Sequence, residues 1–262
     1  MKIYCVANKK GGIGKTTTAT NMATILADRG YKTLLIDADP QCNSTDTFRA
    51  AVEDVATLYD VLLNYDDPST IPETIQATEI GDIVAGDPLL NEAETRLKSE
   101  AGEEYFKLKD ALEQLNGYDY IIIDTAPADN KLLKNCLIAA DELIIPVTAD
   151  RYGIQGLADL NKTIQQVRRR SNPNLKIAGL LLIKYKERLQ LAQEVLVGLT
   201  EIAEKLNTKV FKTKIRESTG TQKAQAMRTT VSRIDKKNNT AIDYNNFVDE
   251  LIGEIKIWQK NN

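Results

Sequence analysis

Apolar residues along this chain fall into two alternating kinds of pattern. Short, near-continuous runs rich in Val, Ile and Leu occur at residues 2–7, 33–36, 119–123, 143–147 and 178–183. Between them, at 16–29, 89–115, 131–140, 154–170 and 189–206, apolar positions recur every three or four residues. Continuous runs of strand length suit a parallel sheet buried on both faces. The longer period suits helices that cover those faces. In 16–29 the apolar face is Ala19, Met22, Ala23, Leu26 and Ala27, and Gly30 is the stop signal. Gly102 interrupts 89–115, and 64–70 and 236–240 read as loops. The tail 247–258 carries Phe247, Leu251, Ile252, Ile255 and Trp258 at helical spacing and is expected to pack on the sheet. The pattern predicts an α/β fold, a doubly wound, mostly parallel sheet flanked by helices, with residues 1–262 as one domain.

Composition narrows the chemistry. The chain has no histidine, which excludes Ser-His and Cys-His nucleophile pairs and histidine metal sites. Cys5, Cys42 and Cys136 are far apart, with no CxxC pair, and are expected to stay reduced. No apolar stretch is long enough to span a membrane and no targeting segment is visible, so a cytoplasmic location is expected. Net charge is only −3, yet residues 1–159 are strongly acidic and 160–240 strongly basic. Such asymmetry suits a polyanionic partner for the basic half, or simply a solvated basic face.

The sharpest local signal is Lys10-Gly11-Gly12-Ile13-Gly14-Lys15-Thr16-Thr17, between the first strand and the first helix. Glycines there allow a tight turn whose backbone N–H groups approach phosphate oxygens, and the helix N-terminus adds its positive dipole end. Lys15 supplies charge to the β- and γ-phosphates of ATP, and the Thr16 hydroxyl is placed to bind Mg²⁺. This is a P-loop. Two further strands end in acids, Asp37-Ala38-Asp39-Pro40-Gln41 after the second run and Asp124 after Ile121-Ile122-Ile123. Carboxylates at the carboxyl ends of parallel strands face the ligand crevice, where they can hold Mg²⁺ or orient an attacking water.

The early Lys10 makes the loop resemble the deviant Walker A motif shared by ParA/Soj, MinD, the nitrogenase iron protein and arsenite-pump ATPases. The resemblance implies an ATP-dependent sandwich homodimer in which Lys10 reaches the partner's nucleotide. It implies that Asp39 positions the attacking water, that Asp37 supports the metal site and that Asp124 is the Walker B acid. Asp39-Pro40-Gln41, Ile145-Pro146-Val147 and Tyr152-Gly153-Ile154-Gln155-Gly156-Leu157 look most like the ParA/Soj branch. That branch implies slow, partner-stimulated ATP hydrolysis, non-specific DNA binding on the nucleoid and a ParB-like adaptor in DNA partition, without stable membrane association. The P-loop lies so near residue 1 that no preceding helix-turn-helix domain, and hence no operator-specific repression, is expected. Arg216 matches an arginine that the branch places at adenine and DNA, whereas Ile215 and Thr219 depart from its pattern. Lys184, Lys186, Arg188, Arg216, Lys223, Arg228 and Arg233 are the candidate DNA contacts. Two alternatives stay open at this level: a MinD-like ATPase using the 247–258 tail at a membrane surface, and a metabolic or metal-cluster ATPase.

Overall fold

The computed structural model describes residues 1–64, 69–98, 102–149, 151–185 and 191–253. The chain runs β1 (Lys2–Val6), α1 (Lys15–Asp28), β2 (Thr33–Ala38), α2 (Asn43–Phe48), α3 (Leu58–Leu62), α4 (Ile71–Thr74), β3 (Ile75–Ala77), β4 (Asp82–Val84), α5 (Ala93–Arg96), α6 (Lys107–Glu113), β5 (Tyr120–Thr125), α7 (Lys131–Ala139), β6 (Glu142–Thr148), α8 (Arg151–Arg170), β7 (Lys176–Ile183), α9 (Leu191–Lys205), α10 (Thr219–Ala226), α11 (Val231–Ile234) and α12 (Asn239–Ile252). The seven strands form one sheet in the order β3-β4-β2-β5-β1-β6-β7. All pairs are parallel except β3 with β4.

Alternation along the strands explains the burial on both faces. Leu34, Ile36, Ile121 and Ile123 pack into one apolar layer, and Leu35 and Ile122 into the opposite one. Every one of these side chains is shielded from water. Each such burial contributes about 1.5–3 kcal/mol of transfer free energy. The first layer is covered by α3, α5, α6, α7, α8 and α9, and the second by α1 and α12. The chain leaves β1 toward β2 on one side and places β6 and β7 on the other, so its direction of winding reverses beside β1. The crevice at such a reversal is where doubly wound sheets bind ligands.

The five predicted strands and the helices after β1, β5, β6 and β7 are all present. The stretch 89–115 is broken at Gly102 as expected, and further, into a 3-10 turn at Pro88–Glu92, α5, a second 3-10 turn at Glu103–Tyr105, and α6. Leu90, Ala93, Leu97, Leu108 and Leu112 are all buried. The apolar spacing therefore marks a shared face without requiring one continuous helix. The predicted loop at 236–240 instead contains the start of α12, where the Asn238 side chain accepts a hydrogen bond from the Thr240 N–H and caps the helix. The tail packs as expected through Phe247, which is fully buried and meets Phe211 edge-to-face at 4.9 Å. Ile255 and Trp258 lie outside the described residues.

Gly179 in β7 faces the same ring: a Cβ there would stand 2.6 Å from Phe211 Cε2. Because Phe211 is wedged against Phe247, it cannot swing away freely. Gly179→Ala is therefore expected to cost about 1–3 kcal/mol through overpacking. Urea unfolding checks this; an unchanged midpoint and slope would show that the ring yields without cost.

Candidate active site

The loop between β1 and α1 turns on two left-handed glycines, Gly12 at φ 69° and Gly14 at φ 83°. At Gly14 a Cβ would also press on Ile183 of β7, 3.0 Å away. Gly14 is the N-cap residue of α1 and offers no side-chain cap, and the first turn carries no acid. By contrast, α3, α7, α10 and α12 are capped by Thr57, Asn130, Ser218 and Asn238. The N–H groups opening α1 thus face the cleft with the dipole's positive end and no local anion. Lys15 is buried at 6% exposure, and its Nζ donates to the Lys10 carbonyl at 3.2 Å. Burial pushes its pKa down, while Asp124 and Asp39 pull it back up.

Facing this positive cup is a concentration of negative charge. Asp37 and Asp124 are directly opposite each other in the β2–β5 register, both with 0% exposure. Asp37 Oδ2 accepts from the Thr45 N–H at 2.8 Å and hydroxyl at 2.7 Å, and Oδ1 accepts from the Asp39 N–H at 3.1 Å. Asp124 Oδ2 accepts from the Ser44 hydroxyl at 2.8 Å, but its Oδ1 has no donor among the described residues. Burial raises both carboxyls above the usual carboxylate range. The Asp37 charge pushes Asp124 higher still, against hydrogen bonds from Thr16 and Ser44. Asp39, 6% exposed, lines the cleft with Oδ1 held by the Gln41 N–H at 3.0 Å. An uncapped helix, a buried lysine and a donor-less carboxylate oxygen beside a threonine hydroxyl fit a phosphorylated ligand carried with a hard divalent cation. The cleft, about 680 Å³, is large enough for a nucleotide.

Its far wall is built from the segment after β7 and from α10 and α12. Arg216 lies on the rim, with its guanidinium forked onto Asp243 at 2.9 and 2.6 Å. Lys184 donates to the Gly12 carbonyl at 2.8 Å. Arg228 pairs with Asp46 at 2.8 Å, and Arg233 pairs with Asp28 at 2.8 Å. The structure therefore gives four of the candidate DNA-contact residues intramolecular partners, and Lys223 lies on α10. Lys186 and Arg188 lie outside the described residues. Lys10 is within its own subunit's reach of Thr148, 3.4 Å away. Cys136 is fully buried in the apolar layer under α7. No helix among the described residues is long and apolar enough to cross a membrane.

Ser44 and Thr45 went unnoticed in the sequence. Their signal is faint: a Ser-Thr pair just after Asp39-Pro40-Gln41, which matters only because α2 folds back onto the two aspartates.

A family model described as an AAA domain matches residues 1–177. The chromosome partitioning protein ParA of Myxococcus xanthus is 41% identical over 198 residues, covering 74% of this chain and 69% of that protein. The sporulation initiation inhibitor protein Soj of Bacillus subtilis is 37% identical over 218 residues, covering 82% and 83%. A solved structure of cobyrinic acid a,c-diamide synthase from Mycobacterium smegmatis, with bound ATP analog and magnesium, superimposes with a TM-score of 0.81. It is 28% identical and covers 96% of this chain and 94% of that one.

The buried carboxyl pair has a consequence for stability. Asp37 and Asp124 titrate higher in the folded chain than in the unfolded one. The folded chain therefore holds more protons between those limits, and its stability falls as pH rises through them. Asp124→Asn keeps an acceptor for Ser44 and removes one charge. Without nucleotide or divalent cation, the variant is expected to gain roughly 1–2 kcal/mol over wild type at about pH 8, a gap that closes toward about pH 5. Thermal unfolding at the two pH values checks this; an equal difference at both would contradict it.

Proposed function

This chain belongs to the ParA/Soj family of partition ATPases, and from that premise we propose that it is an ATP-driven DNA-segregation switch. Its reaction is hydrolysis of ATP to ADP and phosphate, with Mg²⁺ as cofactor. The observation that carries the reading is the cleft lined by the uncapped start of α1, Lys15, Thr16 and Asp39, with the donor-less Asp124 Oδ1 buried beside Thr16 and Lys15.

The backbone N–H groups of residues 11–17 and Lys15 hold the triphosphate. Thr16 and Asp124 hold the metal, with Asp37 behind them keeping Asp39 and α2 in place through its three hydrogen bonds. Mg²⁺ held by Thr16 and Asp124 would supply positive charge to the phosphates. Asp39 orients the attacking water. Lys10 leaves Thr148 in the dimer and meets the partner's nucleotide, adding a second cation where charge develops. Arg216 supports the adenine side of the cleft, held in place by its fork onto Asp243 of α12.

Dimerisation aligns the basic residues after β7 and around α10 and α11 into one surface that contacts DNA phosphates without reading bases. ATP favours the dimer because only that state completes the site, so DNA affinity follows nucleotide state by population shift. A ParB-like adaptor on the cargo DNA accelerates hydrolysis and returns the chain to its single-subunit state on the nucleoid.

The test is DNA binding with ATP, ADP and no nucleotide. Tight, salt-sensitive binding to unrelated sequences is expected with ATP alone. Each lost Lys or Arg contact should reduce the salt slope by about one. Asp39→Ala is expected to stay on DNA once loaded with ATP, and Lys10→Ala to lose both hydrolysis and DNA binding while retaining nucleotide. Equal DNA affinity in all three nucleotide conditions contradicts the switch.

The likeness to the cobyrinic acid a,c-diamide synthase structure supports one second reading, an ATP-dependent amidation on the same fold. ATP turnover stimulated by a corrinoid acid with glutamine, and indifferent to DNA, would favour it.

A further inference from the structure

Two lysines stand side by side at the entry to the phosphate loop, and they point to different places. Lys10 Nζ lies 3.4 Å from Thr148 at the end of β6. Lys9 is turned inward, its side chain only 16% exposed, onto the Asp129 carboxylate at 2.5 Å and the Asp159 carbonyl at 2.8 Å. The other oxygen of Asp129 accepts from the hydroxyl of Thr163, a buried residue of α8, at 3.0 Å. Burial alone would raise the Asp129 pKa, but the bonds from Lys9 and Thr163 outweigh it and hold the carboxyl below its ordinary value. Asp129 therefore keeps its negative charge at neutral pH.

What this network connects gives it meaning. Asp129 lies five residues beyond Asp124, on the segment whose Pro127 lines the cleft and sits 3.9 Å from where a Gly11 Cβ would be. The backbone between Lys9 and Lys10 is held on its other side by Asn8. Asn8 Oδ1 accepts from the Lys10 N–H at 3.1 Å, and its Nδ2 donates to the Pro146 carbonyl at 2.9 Å. The chain just before Lys10 is thus clamped to the loop after β5, to the end of β6 and to α8. A lysine stem is long and loses much rotamer freedom when aimed at one point, so its Cα must be fixed for its tip to arrive reliably.

We propose that Lys9 is a positioning residue, whose bridge to Asp129 and α8 fixes the backbone from which Lys10 reaches the transferring phosphoryl group. The inference rests on the reading of Lys10 given above and names the part of this chain that serves it.

Steady-state ATP hydrolysis in the presence of DNA tests it, using wild type, Lys9→Ala, Lys9→Arg, Asp129→Asn, Lys10→Ala and the Lys9→Ala/Lys10→Ala double variant. Lys9→Ala and Asp129→Asn are expected to lower kcat about 10- to 100-fold, the scale of a small misplacement of a reacting group, with KM for ATP nearly unchanged. Lys9→Arg keeps most of the rate because it retains the bridge to Asp129. In a Lys10→Ala background, Lys9→Ala adds no further loss, the non-additivity expected of residues that act through one another. Should Lys9→Ala not fold, Asp129→Asn carries the same comparison. A wild-type kcat in Lys9→Ala beside an inactive Lys10→Ala overturns this inference alone. So does a rise in KM as large as the fall in kcat, which would mark a damaged nucleotide cup. A wild-type kcat in Lys10→Ala overturns the reading beneath it, and the inference with it.

Discussion

Two carboxylates buried on adjacent parallel strands are the constraint around which this molecule is arranged. Asp37 and Asp124 face each other at the carboxyl ends of β2 and β5, where desolvation disfavours both charges, Asp37 pushes Asp124 higher and Asp39 does the same to Asp37. The fold answers the first by surrounding Asp37 with donors from Thr45 and Asp39. It leaves the second partly unanswered, since Asp124 Oδ1 meets no donor among the described residues. Beside Asp124, α1 begins without a cap and Lys15 is held in a buried position that lowers its pKa. Each half is costly alone, and a ligand bringing both anionic phosphate and a divalent cation relieves both. Such local instability, stored where chemistry occurs, is a common cost of function.

The sheet order makes this juxtaposition possible. β1 lies between β5 and β6, and β5 separates it from β2, so the loop after β1 and the acids after β2 and β5 emerge side by side. The second wall comes from much later in the chain. Ile183, Arg216 and Tyr244 close the cleft only because β7 and α12 pack back onto α1. Tyr244 illustrates the link, with its hydroxyl 3.2 Å from that of Thr18 in the first turns of α1. Lys184 and Arg216 sit on this second wall, and Arg228 just beyond α10 is tied to Asp46 of α2, so movement of the P-loop or α2 reaches these basic residues.

The phosphate loop and its acids were legible because their signal is local. Glycine spacing, a preceding apolar run and a following helical period lie within a few dozen residues. The same holds for the five long strands, whose burial on both faces leaves no polar alternation to misread. What escaped was either too short or too distant. β3 and β4 are three residues each at the sheet's edge and carry no period. Ser44 meets Asp124 across 80 positions of sequence, and Arg216 meets Asp243 across 27. The stretch 89–115 shows the opposite failure. Its apolar residues do share a buried face, but Pro88 and Gly102 let the chain cover it in separate turns.

The measurement that bears most directly on the buried pair is the number of protons exchanged when magnesium and a non-hydrolysable ATP analogue bind near pH 7. Calorimetry in buffers of different ionisation enthalpy reads that number. Carboxyls whose pKa values are raised by burial must give up protons when a cation arrives beside them, so net release is expected, and it should diminish in Asp124→Asn. Binding with no proton release, unchanged in that variant, would mean that the two acids do not receive the metal.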